Sequence, residues 1–154
     1  MPWPFRSKAP AHASFPVGPY RLDAPIGELT GLTEFSTQEY AAMRRQFKGE
    51  KSYHARPVQF LDRQWGVMLQ TVGGQICKIA PHIELTSKME ANPMAMKALR
   101  FCTEQLGKPA KQQTGLFIWD TTDGNVILQT AETSEGLAVN LFLTSRSVQK
   151  FERL

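Results

Sequence analysis

Residues 65–79 read WGVMLQTVGGQICKI, a strand, a glycine turn and a returning strand. Val67, Leu69 and Thr71 alternate with Met68 and Gln70, a two-residue period that sends one set of side chains to each face of a strand. Gly73-Gly74 supplies the positive φ that a tight hairpin turn needs, and Gln75 to Ile79 runs back. Trp65–Val72 and Gln75–Ile79 are therefore read as hairpin partners. Upstream, Tyr53 to Phe60 is a third strand run, with Pro57 suited to an edge or to the start of the paired part. Pro81 is expected to end the Gln75–Ile79 strand.

The pattern recurs downstream at one constant offset. Val67-Met68-Leu69-Gln70-Thr71 lies over Val126-Ile127-Leu128-Gln129-Thr130, and Val58 and Phe60 lie over Phe117 and Trp119. Downstream strand runs are Gly115–Trp119, Asn125–Ala131 and Leu137–Thr144, with turns at Asp123-Gly124 and Ser134-Glu135-Gly136. Two helices are expected. One spans 37–48, capped by Ser36 or Thr37 with Glu39 behind it, apolar at Tyr40, Met43 and Phe47, and stopped by Gly49. The other lies at about 87–106, apolar at Met89, Met96, Leu99, Cys102 and Leu106, with its regular part starting at Asn92 and Pro93 in its first turn. Gly107 and Pro109 end it. The helix faces Tyr40, Met43, Phe47 and Leu99, Cys102, Leu106 keep the same offset as the strands. Identities over residues 36–71 are Gln46/Gln105, Val67/Val126, Leu69/Leu128, Gln70/Gln129 and Thr71/Thr130.

These observations predict an α+β fold, a tandem repeat of a helix followed by a three-stranded antiparallel meander. The two units, about 36–80 and 87–144, join edge to edge into a two-layer sandwich with both helices on one face. Residues 36–154 form that single domain. Residues 1–35 differ in kind: Pro2, Pro4, Pro10, Pro16, Pro19 and Pro25, six of the ten prolines, all precede Ile26. Proline removes a donor and fixes φ, so this segment reads as an extended arm, with Trp3, Phe5, Phe15 and Tyr20 as anchors and one helical turn at Pro25–Leu29.

The arrangement over residues 36–144 resembles the tandem-repeat fold of the β-lactamase inhibitor proteins and related small bacterial lipoprotein domains. That resemblance implies binding of another protein across the sheet. The sequence as read shows neither the pattern expected of a lipoprotein leader nor that family's disulfide pattern. The saddle of the TATA-binding protein is also a tandem α+β fold, so architecture alone does not choose the partner.

Composition narrows the classes. The 154 residues fit one domain; 42% are hydrophobic and 21% charged, values of an ordinary globular chain. No apolar run approaches the ~18 residues of a transmembrane helix, and prolines and charges interrupt any signal-peptide core at the N-terminus. The expectation is a cytoplasmic protein with no membrane contact, although a removed leader would look the same. Cys77 and Cys102 form no CxxC pair and read as two buried thiols, a single bridge between them being the alternative. His12, His54 and His82 lack metal-ligand spacing, and no GxSxG, GxGxxG or P-loop motif occurs. Asp120 and Asp123 flank a hairpin turn rather than fill a calcium loop. No catalytic residue, metal or cofactor is assigned.

Charge is the one outstanding feature. Arg44, Arg45, Lys48, Lys51, Arg56 and Arg63 stand against Glu50 and Asp62, a net +4 that equals the formal charge of the whole chain. Read functionally, they form a basic rim that steers an acidic partner, with Tyr53 and Trp65 as aromatic anchors. Read structurally, Arg44, Arg45 and Lys48 complement a helix C-terminus. The leading expectation is a non-catalytic, bacterial-type protein-binding module: an inhibitor, immunity-like protein, adaptor or chaperone acting by surface occlusion. The alternatives are a nucleic-acid-associated regulator using the same rim, and an enzyme whose site is assembled from dispersed residues. Pairing of two copies through a strand edge is also open.

Overall fold

Among the described residues, eight strands alternate in direction through one antiparallel sheet, ordered β1-β2-β3-β4-β8-β7-β6-β5. The computed structural model describes residues 14–36, 44–134 and 136–154. The strands are β1 (Thr33–Phe35), β2 (Glu50–Phe60), β3 (Arg63–Val72), β4 (Gln75–Leu85), β5 (Lys111–Gln113), β6 (Leu116–Thr121), β7 (Gly124–Glu132) and β8 (Leu137–Ser145). A helix, α1 (Lys88–Leu106), connects the two meanders β1–β4 and β5–β8. The meanders meet where β4 pairs with β8, Lys78 opposite Thr144 and Leu85 opposite Leu137.

Strand alternation builds the core. Trp65, Val67 and Leu69 of β3, Ile79 and Ile83 of β4, Val139, Leu141 and Leu143 of β8, Val126 and Leu128 of β7, and Trp119 of β6 are buried together. The helix contributes Ala91, Met94, Ala98, Cys102 and Leu106, spaced by three and four residues and all buried. Residues 14–20 close the same side. Ser14 donates from N and Oγ to the Asp123 carboxylate in the β6–β7 turn, at 2.7 and 2.9 Å. Next to it, Phe15 packs edge-on against Phe101 of α1 and stacks on Phe60 of β2. Tyr20, 2% exposed, donates to the Arg56 carbonyl. This strap thus ties β2 and α1 to the far hairpin.

The predicted tandem α+β sandwich is overturned. Among the described residues there is one α-helix against eight strands. Of the expected first helix, residues 37–43 lie outside the described residues, and 44–48 are not helical: Phe47 bridges to Arg153 and β2 begins at Glu50. Arg44, Arg45 and Lys48 thus lie in no helix among the described residues. The constant offset fails as well. It would carry the β2–β3 turn at Leu61–Asp62 onto Asp120–Thr121, but those residues end β6, and the β6–β7 turn falls at Thr122–Asp123. The overlay thus sets the two hairpins out of step. The motif V-x-L-Q-T repeats because β3 and β7 bury alternate residues against one core, not because two helix-plus-meander units repeat. The internal-repeat reading, with its two units at about 36–80 and 87–144, is withdrawn with it.

Three local readings also change. Pro81 does not end β4, which runs on to Leu85; Pro81 pairs with Val67 of β3, and the β4–β8 ladder skips Ala80 and Pro81, where proline has no N–H to donate. The helix starts at Lys88, with the Ser87 hydroxyl accepting from Glu90 N, and Pro93 lies inside it. The Pro25–Leu29 segment forms a turn beside β4, Pro25 bridging Gln75, rather than a helical turn. Within the arm, Phe15 and Tyr20 are anchors, while Trp3 and Phe5 lie outside the described residues. Pro57 does sit at an edge: β1 pairs with β2 only from Ser52 to His54, and β2 bulges between Ala55 and Val58.

Candidate partner-binding surfaces

The residues expected to form one basic, aromatic-anchored rim are distributed along β2. Arg44 and Arg45 are exposed in the stretch before it. Arg45, Glu34, Phe35, Glu50, Lys51 and Ser52 line a cleft of about 580 Å³. Lys48 pairs with Glu152 at 2.9 Å. Lys51 is exposed and Tyr53 half-buried on β2. Arg56 sits at the bulge, its side chain laid over Gly31. Arg63 begins β3, about 30 Å of strand away from Lys51 at ~3.3 Å per residue. Trp65 is fully buried in the core, so it anchors the fold and not a partner. A run contiguous in sequence becomes two separate groups because β2 is long and extended.

The candidate thiols and carboxylates serve the fold. Cys77 and Cys102 are free and buried. Burial pushes both thiols up to about 12, with the Glu50 carboxylate adding to the rise at Cys77, so neither is a nucleophile at neutral pH. Glu50, 3% exposed, accepts from the backbone N–H groups of Gln46 and Phe47 and fixes the turn into β2. His54 stacks on Phe35, with ring centroids 4.2 Å apart. His82 Nδ1 lies 3.2 Å from the Ala80 carbonyl, and its ring lies over Gly66, where a Cβ would stand 2.6 Å from Nε2. His12 lies outside the described residues. Among the described residues, no three His, Cys, Asp or Glu side chains gather to hold a metal ion.

The sheet face turned away from α1 carries an order that the sequence reading missed. The register aligns side chains into rows across the strands. One row runs Ile118, Ile127 and Phe142 on β6, β7 and β8, then Ala80 and Met68 on β4 and β3. On one side of it stand Gln129, Asn140, His82 and Gly66. On the other stand Asp120, Asn125, Thr144, Lys78 and Gln70. Toward β2 this face is closed: Ser52, Gln70 and Ala80 are 1–2% exposed. Toward β6 it is open, and Ile118, Ile127, Phe142, Gln129 and Asn140 remain partly exposed. The signal was present between the core-facing positions of β7 and β8, which carry Ile127 and Phe142 where a solvated strand face carries polar residues.

On the opposite side, the β2–β3 turn and α1 enclose a second cleft, of about 470 Å³. Its apolar lining is Leu61, Pro93, Met94 and Met96; its charges are Asp62, Arg63, Glu90, Lys97 and Arg100. A shallower apolar hollow of about 310 Å³ adjoins it along α1, sharing Met96 and Arg100.

Comparisons with family models, curated proteins and solved structures gave no match. No helix among the described residues is long and apolar enough to cross a membrane.

Proposed function

We propose that this chain is a non-catalytic protein-binding module of the inhibitor, immunity-like, adaptor or chaperone kind, which occludes a partner's surface with the open part of its sheet. The observation that carries this reading is the contiguous row of Ile118, Ile127 and Phe142, aligned by register and partly exposed. An antiparallel sheet with one face in water carries polar residues on that face. A contiguous apolar stripe there is the mark of an interaction surface. Gln129, Asn140 and His82 beside it offer the polar rim that such surfaces use for orientation. Arg44, Arg45 and Lys51 stand at the β2 end of the sheet and add steering toward an acidic partner.

The test is a tagged pull-down from source lysate, with and without nuclease, using the parent chain and an Ile127→Gln/Phe142→Gln variant. The expected result is a protein that survives nuclease on the parent chain and falls at least tenfold on the variant, with unchanged circular dichroism. Capture that disappears with nuclease favours the nucleic-acid regulator instead. Equal capture by the variant removes the sheet face from consideration.

A further inference from the structure

We propose that the cleft between the β2–β3 turn and α1 is a separate docking site for an acidic amphipathic peptide segment of a partner. A carboxylate would be clamped between Arg63 and Arg100, and an adjoining aliphatic or aromatic side chain would seat on Leu61, Pro93, Met94 and Met96. The cleft's volume, about 470 Å³, takes a few side chains but not a domain.

Charge selects the occupant. Lys97 is already paired with Asp62, at 3.3 Å. Arg63 and Arg100 make no hydrogen bond or ion pair with a described side chain, yet both line this cleft. The remaining acid, Glu90, is outnumbered by these two guanidinium groups. Arginine is the side chain best shaped to hold a carboxylate through two parallel hydrogen bonds.

The apolar lining points the same way. Met96, which lines both this cleft and the adjoining hollow, is 58% exposed. Exposed methionines are adaptable, polarisable contacts suited to apolar side chains of a docking segment. The wall opposite α1 is held in an unusual conformation. Leu61 and Asp62 both have positive φ, 52° and 64°, in a two-residue turn that lacks glycine. Positive φ is tolerated by aspartate but is an outlier for leucine, and such conformations cluster at binding sites. Leu61 packs against the core, and the exposed Arg63 lines the cleft beside it.

The experiment uses the full chain, labelled with ¹⁵N and titrated with a capped 14-residue amphipathic helical peptide of Leu, Ala and Glu. Its Gln-for-Glu analogue, phosphatidylglycerol vesicles and oligo(dT) form the other arms. The acidic peptide is expected to shift the amide resonances of Leu61–Arg63 and Met94–Arg100. The Gln analogue, and an Arg63→Gln/Arg100→Gln variant of the chain, are expected to bind at least tenfold more weakly. An Ile127→Gln/Phe142→Gln variant is expected to bind the peptide normally, which separates this site from the sheet face. Absence of shifts at the cleft, shifts indifferent to the two arginines, or preferential binding of vesicles or oligo(dT) there would overturn the proposal.

Discussion

Asp123 accepts three hydrogen bonds in the β6–β7 turn: from Ser14 N, from the Ser14 hydroxyl and from the Thr121 hydroxyl. Partial burial pushes its carboxyl up. The bonds from the Ser14 backbone, the Thr121 and Ser14 hydroxyls and its own backbone outweigh that effect and hold it below the ordinary carboxylate range. Because the folded pKa is depressed, the carboxylate's contribution is complete above the unfolded value of about 3.9 and disappears as pH falls through the folded value. Asp123→Asn is expected to cost about 1 kcal/mol at pH 7, since the turn is partly open to solvent and screened. The gap between parent and variant urea midpoints should close below about pH 4, and a gap that persists in strong acid would deny the carboxylate this role. Trp65 is the opposite case. Its Nε1–H is buried with no hydrogen-bond partner among the described residues, whereas Trp119 Nε1 donates to the Gly107 carbonyl at 2.8 Å.

At the scale of the element, α1 shows what a cap decides. Ser87-Lys88-Met89-Glu90 is the S-x-x-E signature of a helix start, and the Ser87 hydroxyl accepts from Glu90 N. Pro93 then falls inside the helix, where the Met89 carbonyl receives no N–H from it. Pro93→Ala should raise stability by about 1 kcal/mol, less than the ~3 kcal/mol of a mid-helix proline because the site is close to the N-terminus. A start at Asn92 would instead make the substitution neutral or unfavourable, and thermal unfolding distinguishes the two. The same comparison shows what was legible. Six strands were readable from two-residue alternation and from the glycine turns, because burial on one face imprints itself on sequence. The β2–β3 turn carries no glycine, and β1 and β5, at Thr33–Phe35 and Lys111–Gln113, are too short to show a period. Of the helix face read at Tyr40, Met43 and Phe47, only Phe47 is among the described residues, and it is buried without a helix, against the Phe151 ring and beneath the Arg153 guanidinium. At the sites, Arg63 was identified by charge, but Arg100 and the row Ile118, Ile127 and Phe142 come together only through pairing register and packing, which composition does not encode.

For the whole molecule, the seam between β4 and β8 makes the two meanders one cooperative body. Ile79, Ile83 and Leu85 face Leu143, Val139 and Leu137 across it; the first five are buried in one core cluster and Leu137 packs against it. Two variants, each retaining one tryptophan, test this: Trp3→Phe/Trp65→Phe reports on the second meander and Trp3→Phe/Trp119→Phe on the first. Trp65→Phe is the milder change, as it removes an N–H that has no acceptor among the described residues. In each variant, fluorescence and circular dichroism should give coincident guanidinium midpoints, as expected of an all-or-none transition. Separated midpoints would mean that the meanders unfold independently.

The seam also sets a timetable for synthesis. β4 needs β8 on its outer edge, yet β4 ends at Leu85 and β8 begins only at Leu137, with α1 and three other strands made in between. A ribosome adding about 5–20 residues per second leaves that apolar strand edge without its partner for roughly 3–10 s. During that interval the nascent chain presents a docking edge to any neighbouring strand, and α1, which packs on the core face of the sheet, leaves that edge open until β8 arrives.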